Sequence, residues 1–452
     1  MASTVAAIAT PQNTGSIGVI RISGENAIKI ADSIFEPTGK RRLTDLEGYR
    51  AAHGCIVFEG EKIDECIALV FRAPKSYTGE NVVELSCHGG LFVLRKVLRA
   101  VFAAGAEPAG PGEFTKRAFL NGRIDLIEAD GIMNLIESKT ETSRKLSINQ
   151  LSGNVSNKII SLRDKLIQVI SNIEVNIDYP EYDDIEVINN EKILPILKEV
   201  NKSLEDTITQ SENGKIITEG IKVCLIGRPN VGKSSLLNTL LEENKAIVTN
   251  IAGTTRDIVE GTIQIDNIPI HLIDTAGIRE TSDIVEQIGV NKSKEVIENS
   301  NLIILILNSN EQLTEEDKYL LELIKNKTSI IVLNKIDLPS NIEDINHENI
   351  VKISAEYNIG IEDLKNKIKY LFNIDKIETT DMNYLTSARS IGLLKKAHDI
   401  LKEVINKTRQ GIEPYLLEID IKEAWNILGE IIGATYKEEM LDEMFKRFCL
   451  GK

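Results

Sequence analysis

Apolar residues recur along this chain at different spacings, and the points where the spacing changes divide it. In residues 1–119, short apolar runs alternate with a helical period. Gly18–Ser23, Cys66–Phe71 and Val82–Ser86 read as strands, whereas Leu91, Leu94, Val97, Leu98 and Val101 mark the buried face of a helix reaching Ala103. This mixture predicts an α+β domain. Arg21, Glu84 and His88 stand in or beside its apolar runs, where outward-facing strand positions would put them. Cys87-His88 has no partners at the spacing of a zinc site.

From residue 120 the period lengthens. Val155, Ile159, Leu162, Leu166, Val169 and Ile173 alternate steps of four and three, a stripe along one long helix. The acidic stretch Tyr179-Pro180-Glu181-Tyr182-Asp183-Asp184 reads as a solvated interhelix loop, after which Ile193, Leu197, Val200 and Leu204 resume the stripe. Helical spacing returns in 388–408 and 415–448. Between these helical stretches, Lys222–Ile226, Ile270–Ile273, Leu302–Leu307 and Ile330–Leu333 are strand-like runs separated by helical ones, as a doubly wound parallel sheet requires. The predicted architecture is multidomain α/β: an N-terminal α+β domain (1–119), a helical domain split into 120–217 and 376–452, and an α/β domain inserted at 218–375.

Composition adds limits. The 452 residues suffice for two to four domains, and the net charge of −15 argues against indiscriminate nucleic-acid binding. The acid is uneven: residues 1–125 hold 15 Lys and Arg against 14 Asp and Glu, so the remainder carries −16. An RNA partner would therefore need a local basic patch or a charged helper protein. Five scattered cysteines form no C-x-x-C pair, which suits a reduced, cytoplasmic setting. No signal peptide or membrane-spanning run stands out.

The inserted segment carries the chemistry. Gly227-Arg228-Pro229-Asn230-Val231-Gly232-Lys233-Ser234 sits between the strand ending at Ile226 and the helical run Ser235–Leu241, which is the context of a phosphate loop. Asn230, Val231, Gly232, Lys233, Ser234 and Ser235 would wrap the phosphates, with the Lys233 charge at the β/γ positions and the Ser234 hydroxyl on Mg²⁺. Asp274-Thr275-Ala276-Gly277 follows the next strand, where Asp274 can hold Mg²⁺ through water and the Gly277 N–H can sense the γ-phosphate. Upstream, Gly253-Thr254-Thr255-Arg256 offers a threonine to complete the Mg²⁺ shell. Asn334-Lys335-Ile336-Asp337 ends another strand, and an aspartate there accepts from guanine N1–H and the 2-amino group. Ser354-Ala355-Glu356 adds a backbone N–H for guanine O6. Four such motifs in order imply GTP. Ile278 stands where many small GTPases place a water-orienting glutamine, leaving Arg256, Arg279, Glu280 and Glu286 as local candidates for that task.

The phosphate loop, Ile251-Ala252-Gly253-Thr254-Thr255-Arg256-Asp257 and the terminal Cys449-Leu450-Gly451-Lys452 together resemble the MnmE (TrmE) family of tRNA modification GTPases. So do Thr78-Gly79-Glu80, Cys87-His88-Gly89-Gly90 and the stretch from Pro111 to Gly122, and the likeness spans essentially the whole chain. The resemblance implies a Ras-like GTPase domain activated by K⁺. Asn230, Thr249, Ile251 and Thr254 would ligate the monovalent ion, Ser234 and Thr255 would ligate Mg²⁺, and Glu286 would act as the catalytic glutamate with Lys233. It further implies a homodimer through the N-terminal domain and a 5-formyl- or methylene-tetrahydrofolate-type cofactor at Arg21, Glu84, Arg123 and Lys452. Cys449 would stand beside the folate. Relatives work with the FAD-dependent protein MnmG to place an aminomethyl-type group on C5 of the wobble uridine of certain tRNAs, away from any membrane. The alternative from the motifs alone is a GTP-dependent RNA-binding or ribosome-assembly factor without modification chemistry. A basic appended RNA-binding domain would favour that reading, and none is evident.

Overall fold

Alternation in the first part of the chain produces a sheet because successive side chains of a strand point to opposite faces. Strands β1 (Val5–Ile8), β2 (Ile17–Ser23), β3 (Phe35–Pro37), β4 (Arg50–Phe58), β5 (Glu61–Phe71), β6 (Val82–His88) and β7 (Glu107–Pro108) form a seven-stranded sheet in the order β3-β4-β5-β6-β2-β1-β7. Only β1 and β7 pair in parallel. Ala6, Ile8, Ile20 and Ile22 join one core with helices α1 (Ala27–Ile34) and α2 (Leu91–Ala103). The alternate residues Val5 and Ala7 pack instead with Ala109, Phe114 and Tyr77. Arg21, between Ile20 and Ile22, belongs to that second face. The computed structural model describes residues 3–178, 189–243, 261–266, 268–274, 296–372, 374 and 384–452. The acidic stretch 179–184 lies outside these residues.

The helical periodicities that follow give α3 (Glu113–Leu120), α4 (Leu126–Glu137), α5 (Glu141–Leu151), α6 (Asn154–Asp178) and α7 (Asn190–Glu219). The chain divides by its contacts into two units, Met1–Met133 with Gln150–Lys202 and Leu393–Lys452, and Asn134–Asn149 with Ser203–Gly392.

The second unit centres on a six-stranded sheet of β8 (Ile221–Ile226), β9 (Gly261–Ile265), β10 (Ile268–Asp274), β11 (Leu302–Asn308), β12 (Ser329–Asn334) and β13 (Ile350–Lys352), ordered β13-β12-β11-β8-β10-β9. Every residue of β11 and β12 is buried. Such continuous apolar runs belong to strands covered on both faces. Helices α8 (Lys233–Glu243) and α10 (Ile361–Leu371) contribute Leu236, Leu240, Leu364 and Ile368 to the core on one side, and α9 (Glu315–Ile324) contributes Ile324 to that on the other. The expected parallel sheet departs from that pattern at one edge, where β9 runs antiparallel to β10. Two residues separate these strands in the sequence, and so short a connection can return only antiparallel.

The remaining helices are α11 (Ala388–Arg409), α12 (Pro414–Ile432) and α13 (Glu438–Phe445). The helical run expected over 415–448 is broken at Gly433, whose φ of 80° ends α12 in the left-handed region that glycine tolerates. In the first unit α6 lies along α12, with the Arg163 guanidinium 4.2 Å from the Trp425 ring centre and Lys422 paired to Glu174 at 2.6 Å. The chain's end packs against its beginning. Phe119, Leu126, Leu441, Phe445 and Phe448 share one apolar cluster, and Lys116 pairs with Asp442 at 2.6 Å.

Candidate functional sites

The first site grows from the end of β8. Five apolar or small residues bury this strand, and the chain must then turn sharply into α8. It does so through Gly227 (φ 151°), Asn230 (φ 64°) and Gly232 (φ 98°). Asparagine is among the few non-glycine residues that accept the left-handed region. A Cβ on Gly227 would strike the Ile306 carbonyl, and one on Gly232 would fall on the Asn334 amide nitrogen. The loop's carbonyls are tied down one after another. Lys233 Nζ donates to the Gly227 and Arg228 oxygens at 2.7 and 2.8 Å. Lys335 Nζ donates to the Asn230 oxygen at 3.0 Å, and Asn334 Nδ2 to the Val231 oxygen at 2.8 Å. A loop held by its carbonyls in this way keeps its N–H groups for an anion at the α8 N-terminus. Ser234 and Ser235 are exposed in the first turn of that helix.

Asn334 also joins this loop to the base-reading segments. Its Oδ1 accepts the Ala355 N–H at 3.0 Å, while Ser354 Oγ donates to Asp337 Oδ1 at 2.6 Å. The Asp337 carboxylate is thereby oriented at an exposed position, with Glu356 exposed next to Ala355. Thus direct bonds pair Asn230 with Lys335, Val231 and Ala355 with Asn334, and Asp337 with Ser354, while Gly232 passes close to Asn334 and Lys233 closes on its own loop. Asp274, the last residue of β10, pairs in register with Leu225 of β8, two residues before Gly227. Thr249, Ile251, Thr254, Thr255, Thr275, Ala276, Gly277 and Glu286 lie outside the described residues, as do Arg256, Ile278, Arg279 and Glu280.

Two supports here were missed by sequence reasoning. Thr239 Oγ1 on α8 donates to the Ala355 oxygen at 3.0 Å. Arg228 reaches Asp317 at 2.9 Å and Glu311 at 3.0 Å, and Asp317 also caps α9 by accepting from Thr314. Nothing in the spacing of Thr239 signals its role. Arg228 sits inside the motif, but its partners lie over 80 residues away.

The second cluster is on the first sheet's Phe114 face. Arg21 on β2 stands opposite Glu84 on β6 in register, and Arg21 Nε and Nη2 reach Glu84 Oε1 at 2.9 and 2.8 Å. The Arg21 guanidinium lies 5.1 Å from the Tyr77 ring centre and 5.4 Å from that of Phe114. Arg123 is also 5.1 Å from the Tyr77 ring and donates to the Tyr77 oxygen at 2.8 Å. Lys452 is delivered by the chain's end. The Phe114 N–H donates to the Lys452 oxygen at 3.1 Å, Leu450 bridges Pro111, and Gly451 (φ 90°) passes so close to the Ile8 carbonyl that a side chain would collide with it. Burial, and next the Arg21 charge, push the Lys452 ammonium below the ordinary lysine range, while Cys449 and Glu84 pull it back. Arg21, Glu84, Arg123 and Lys452 therefore share one neighbourhood with Tyr77, which the sequence did not single out. Cys449 is exposed beside it. Arg21 Nη1 is buried without a hydrogen-bond partner, an unmet donor that an anionic or carbonyl-bearing ligand would satisfy. A carboxylate, cations and flat rings suit a folate in chemistry.

Cys87 and His88 take different paths. Cys87 is buried, and a hydrogen bond with Cys66 on the neighbouring strand, followed by burial, drives its thiol pKa up. His88 is exposed and held to Asp64 at 2.6 Å, which raises its pKa. Among the described residues no group of His, Cys, Asp or Glu side chains is placed to hold a metal. No helix among them is long and apolar enough to cross a membrane.

A phosphate loop, a guanine-type N-K-x-D loop and an S-A-E loop on a doubly wound sheet define a GTPase domain, here carried by a larger α-helical and α+β chain. The sequence model described as GTP-binding protein TrmE N-terminus matches residues 4–123, and that described as MnmE helical domain matches residues 126–449. The tRNA modification GTPase MnmE of Staphylococcus aureus strain Newman is 42% identical over 458 residues, covering 99% of both chains, and that of strain JH9 gives the same values. The chain belongs to the MnmE family of tRNA modification GTPases. Among solved structures, the G domain of the T. maritima FeoB iron transporter is 29% identical over 34% of this chain and 98% of its own, with a TM-score of 0.25.

Proposed function

We propose that this chain is a K⁺-activated GTP hydrolase. With an FAD-dependent partner of the MnmG type, it modifies C5 of the wobble uridine of certain tRNAs with an aminomethyl-type group. The reading is carried by Asn334, whose amide ties the phosphate loop to the base-reading loop at 2.8 and 3.0 Å. Phosphate and base recognition are thereby built as one body, as hydrolysis of a single nucleotide requires. Lys233 serves the β/γ-phosphates, and Ser234 with Thr255 holds Mg²⁺. Asn230, with Thr249, Ile251 and Thr254, holds K⁺ where its charge offsets that of the phosphoryl group in transit. Glu286 orients the attacking water in place of the glutamine that Ile278 displaces. Family membership and the residues' chemical types support these roles.

The Arg21, Glu84, Arg123 and Lys452 cluster binds a tetrahydrofolate, which supplies a one-carbon unit when bound. Glu84 meets the donor edge of the pterin and the cations meet the glutamyl tail. The chain works in the cytoplasm as a homodimer joined through residues 1–119. The family match over both ends of the chain favours this reading over a ribosome-assembly factor.

The test is GTP turnover by the full chain in K⁺ and Na⁺ at equal ionic strength. Turnover several-fold or more faster in K⁺ is expected, and equal rates would remove the monovalent-ion role. Glu286→Ala should keep nucleotide affinity and slow kcat. Mass analysis of tRNA nucleosides from a deletion strain should show loss of the C5-modified uridine, and an unchanged nucleoside profile would reject the tRNA half of the reading.

A further inference from the structure

The helical face of the N-terminal sheet, opposite the Arg21 cluster, has an unusual charge. Helices α1 and α2 bury their apolar sides on the sheet through Ile28, Ile30, Leu94 and Val97. Their outer sides present Lys29, Arg95, Lys96 and Arg99, all exposed. Neither helix exposes a carboxylate. Their one acid, Asp32, is buried and bonded to Arg42 and to the Leu43 N–H. Lys96 pairs with Glu61 at 3.3 Å, while Lys29, Arg95 and Arg99 have no carboxylate partner among the described residues. In a protein of net charge −15 this is a cationic surface held against the prevailing sign. Phe92, 80% exposed, lies on it. Phe92, Arg95, Lys96 and Arg99 stand at i, i+3, i+4 and i+7, one stripe of α2. An aromatic ring left in water within a row of cations matches a strand of nucleic acid, in which phosphates meet the charges and an unpaired base stacks on the ring.

We propose that the outer face of α1 and α2 is a docking surface for the backbone of tRNA, with Phe92 stacked against an unpaired base. The proposal rests on the tRNA reading above and adds the place of contact. It is remote from the phosphate loop in sequence and uses none of the nucleotide- or folate-site residues. Arg95 and Arg99 are one turn apart, so they reach neighbouring phosphates, and Lys29 adds an exposed cation on α1, which packs in the same core as α2.

The experiment measures binding of unmodified tRNA to the full chain by anisotropy over a series of salt concentrations. The parent, Arg95→Ala/Arg99→Ala, Phe92→Ala and Phe92→Trp are compared. The double variant should weaken binding at low salt by about tenfold or more. It should also flatten the log Kd against log salt slope by about 1.5, two phosphate contacts at roughly 0.7–0.9 each. Phe92→Ala should weaken binding with little change of slope, and Phe92→Trp should restore it. Basal GTP turnover should be unchanged in all. Parental binding that the variants share in full overturns the surface alone. A parent that binds no tRNA overturns the surface together with the tRNA half of the functional reading. Variants that alter the mass in solution without altering tRNA affinity assign the face to a second copy and overturn the proposal.

Discussion

The GTPase loops and the Arg21 cluster, the proposed folate site, are both built on sheets, yet they are assembled in opposite ways. At the phosphate loop, Gly227 to Ser234 are contiguous, and the turn itself is local: a left-handed φ at Asn230 and a carbonyl caught by Lys233 six residues on, with Asn334 and Lys335 bracing it from a distant loop. Around Arg21, the four polar residues come from positions 21, 84, 123 and 452. Their meeting depends on strand register and on the chain's end docking beside Phe114. The turn of the first site is set by short-range geometry, and long-range bonds only brace it. The second exists only if the whole first unit is folded.

Substitutions can press on that contrast. Asp337→Asn should have the largest effect. Losing a charged acceptor shared by two guanine donors should cost GTP affinity about 100-fold or more, and should favour XTP, whose 2-oxo group accepts from the new amide. Equilibrium titration with both nucleotides checks this, and unchanged GTP affinity would remove the base site from this loop. Glu84→Gln should come next. It keeps shape but removes the Arg21 counter-charge, so affinity for a tetrahydrofolate analogue should fall about tenfold to hundredfold by calorimetry, with GTP turnover unmoved.

Gly451→Ala tests whether the second site depends on the distant tail. The substitution meets both a φ of 90° and the Ile8 carbonyl, so it should release the terminal residues at a cost of about 1–3 kcal/mol. Folate affinity should drop although Lys452 is chemically intact. Gly60→Ala, at φ 80° with open space around it, is the control for the dihedral alone.

The smallest effect concerns His271 on β10. Its Nδ1 meets Thr262 Oγ1 at 3.0 Å and its Nε2 meets the Glu219 oxygen at 3.1 Å, where α7 gives way to β8. Burial, then Lys139, lowers its pKa from 6.5, so the folded state prefers the neutral ring. Its contribution is present above pH 6.5 and is lost as pH falls from 6.5 through the lower folded value. Thermal unfolding between pH 7.5 and 5.5 should show the parent losing stability relative to His271→Asn as the pH falls, and parallel curves would remove the role.

What could be read from residues alone follows the range of the physics involved. Periodicity located β2, β6, α2, α6 and the buried strands β8, β11 and β12, because burial on one face or two is written into neighbouring side chains. It gave no sign of β1 or β4, whose runs (Val-Ala-Ala-Ile and Arg-Ala-Ala-His-Gly-Cys-Ile-Val-Phe) are short or mixed. Nor did it reveal the antiparallel turn-back of β9. The nucleotide motifs were legible because a phosphate loop needs its glycines, asparagine and lysine at fixed offsets in a single turn. The sequence by itself therefore determined the nucleotide chemistry and the alternation of strands and helices that carries it. Only the tertiary structure decided that Tyr77 and Phe114 flank Arg21, that Arg228 leans on Asp317 and Glu311, and that the cations of α1 and α2 share one face. Those contacts join residues tens to hundreds of positions apart, and such closures are set by packing of whole elements rather than by any local preference of the chain.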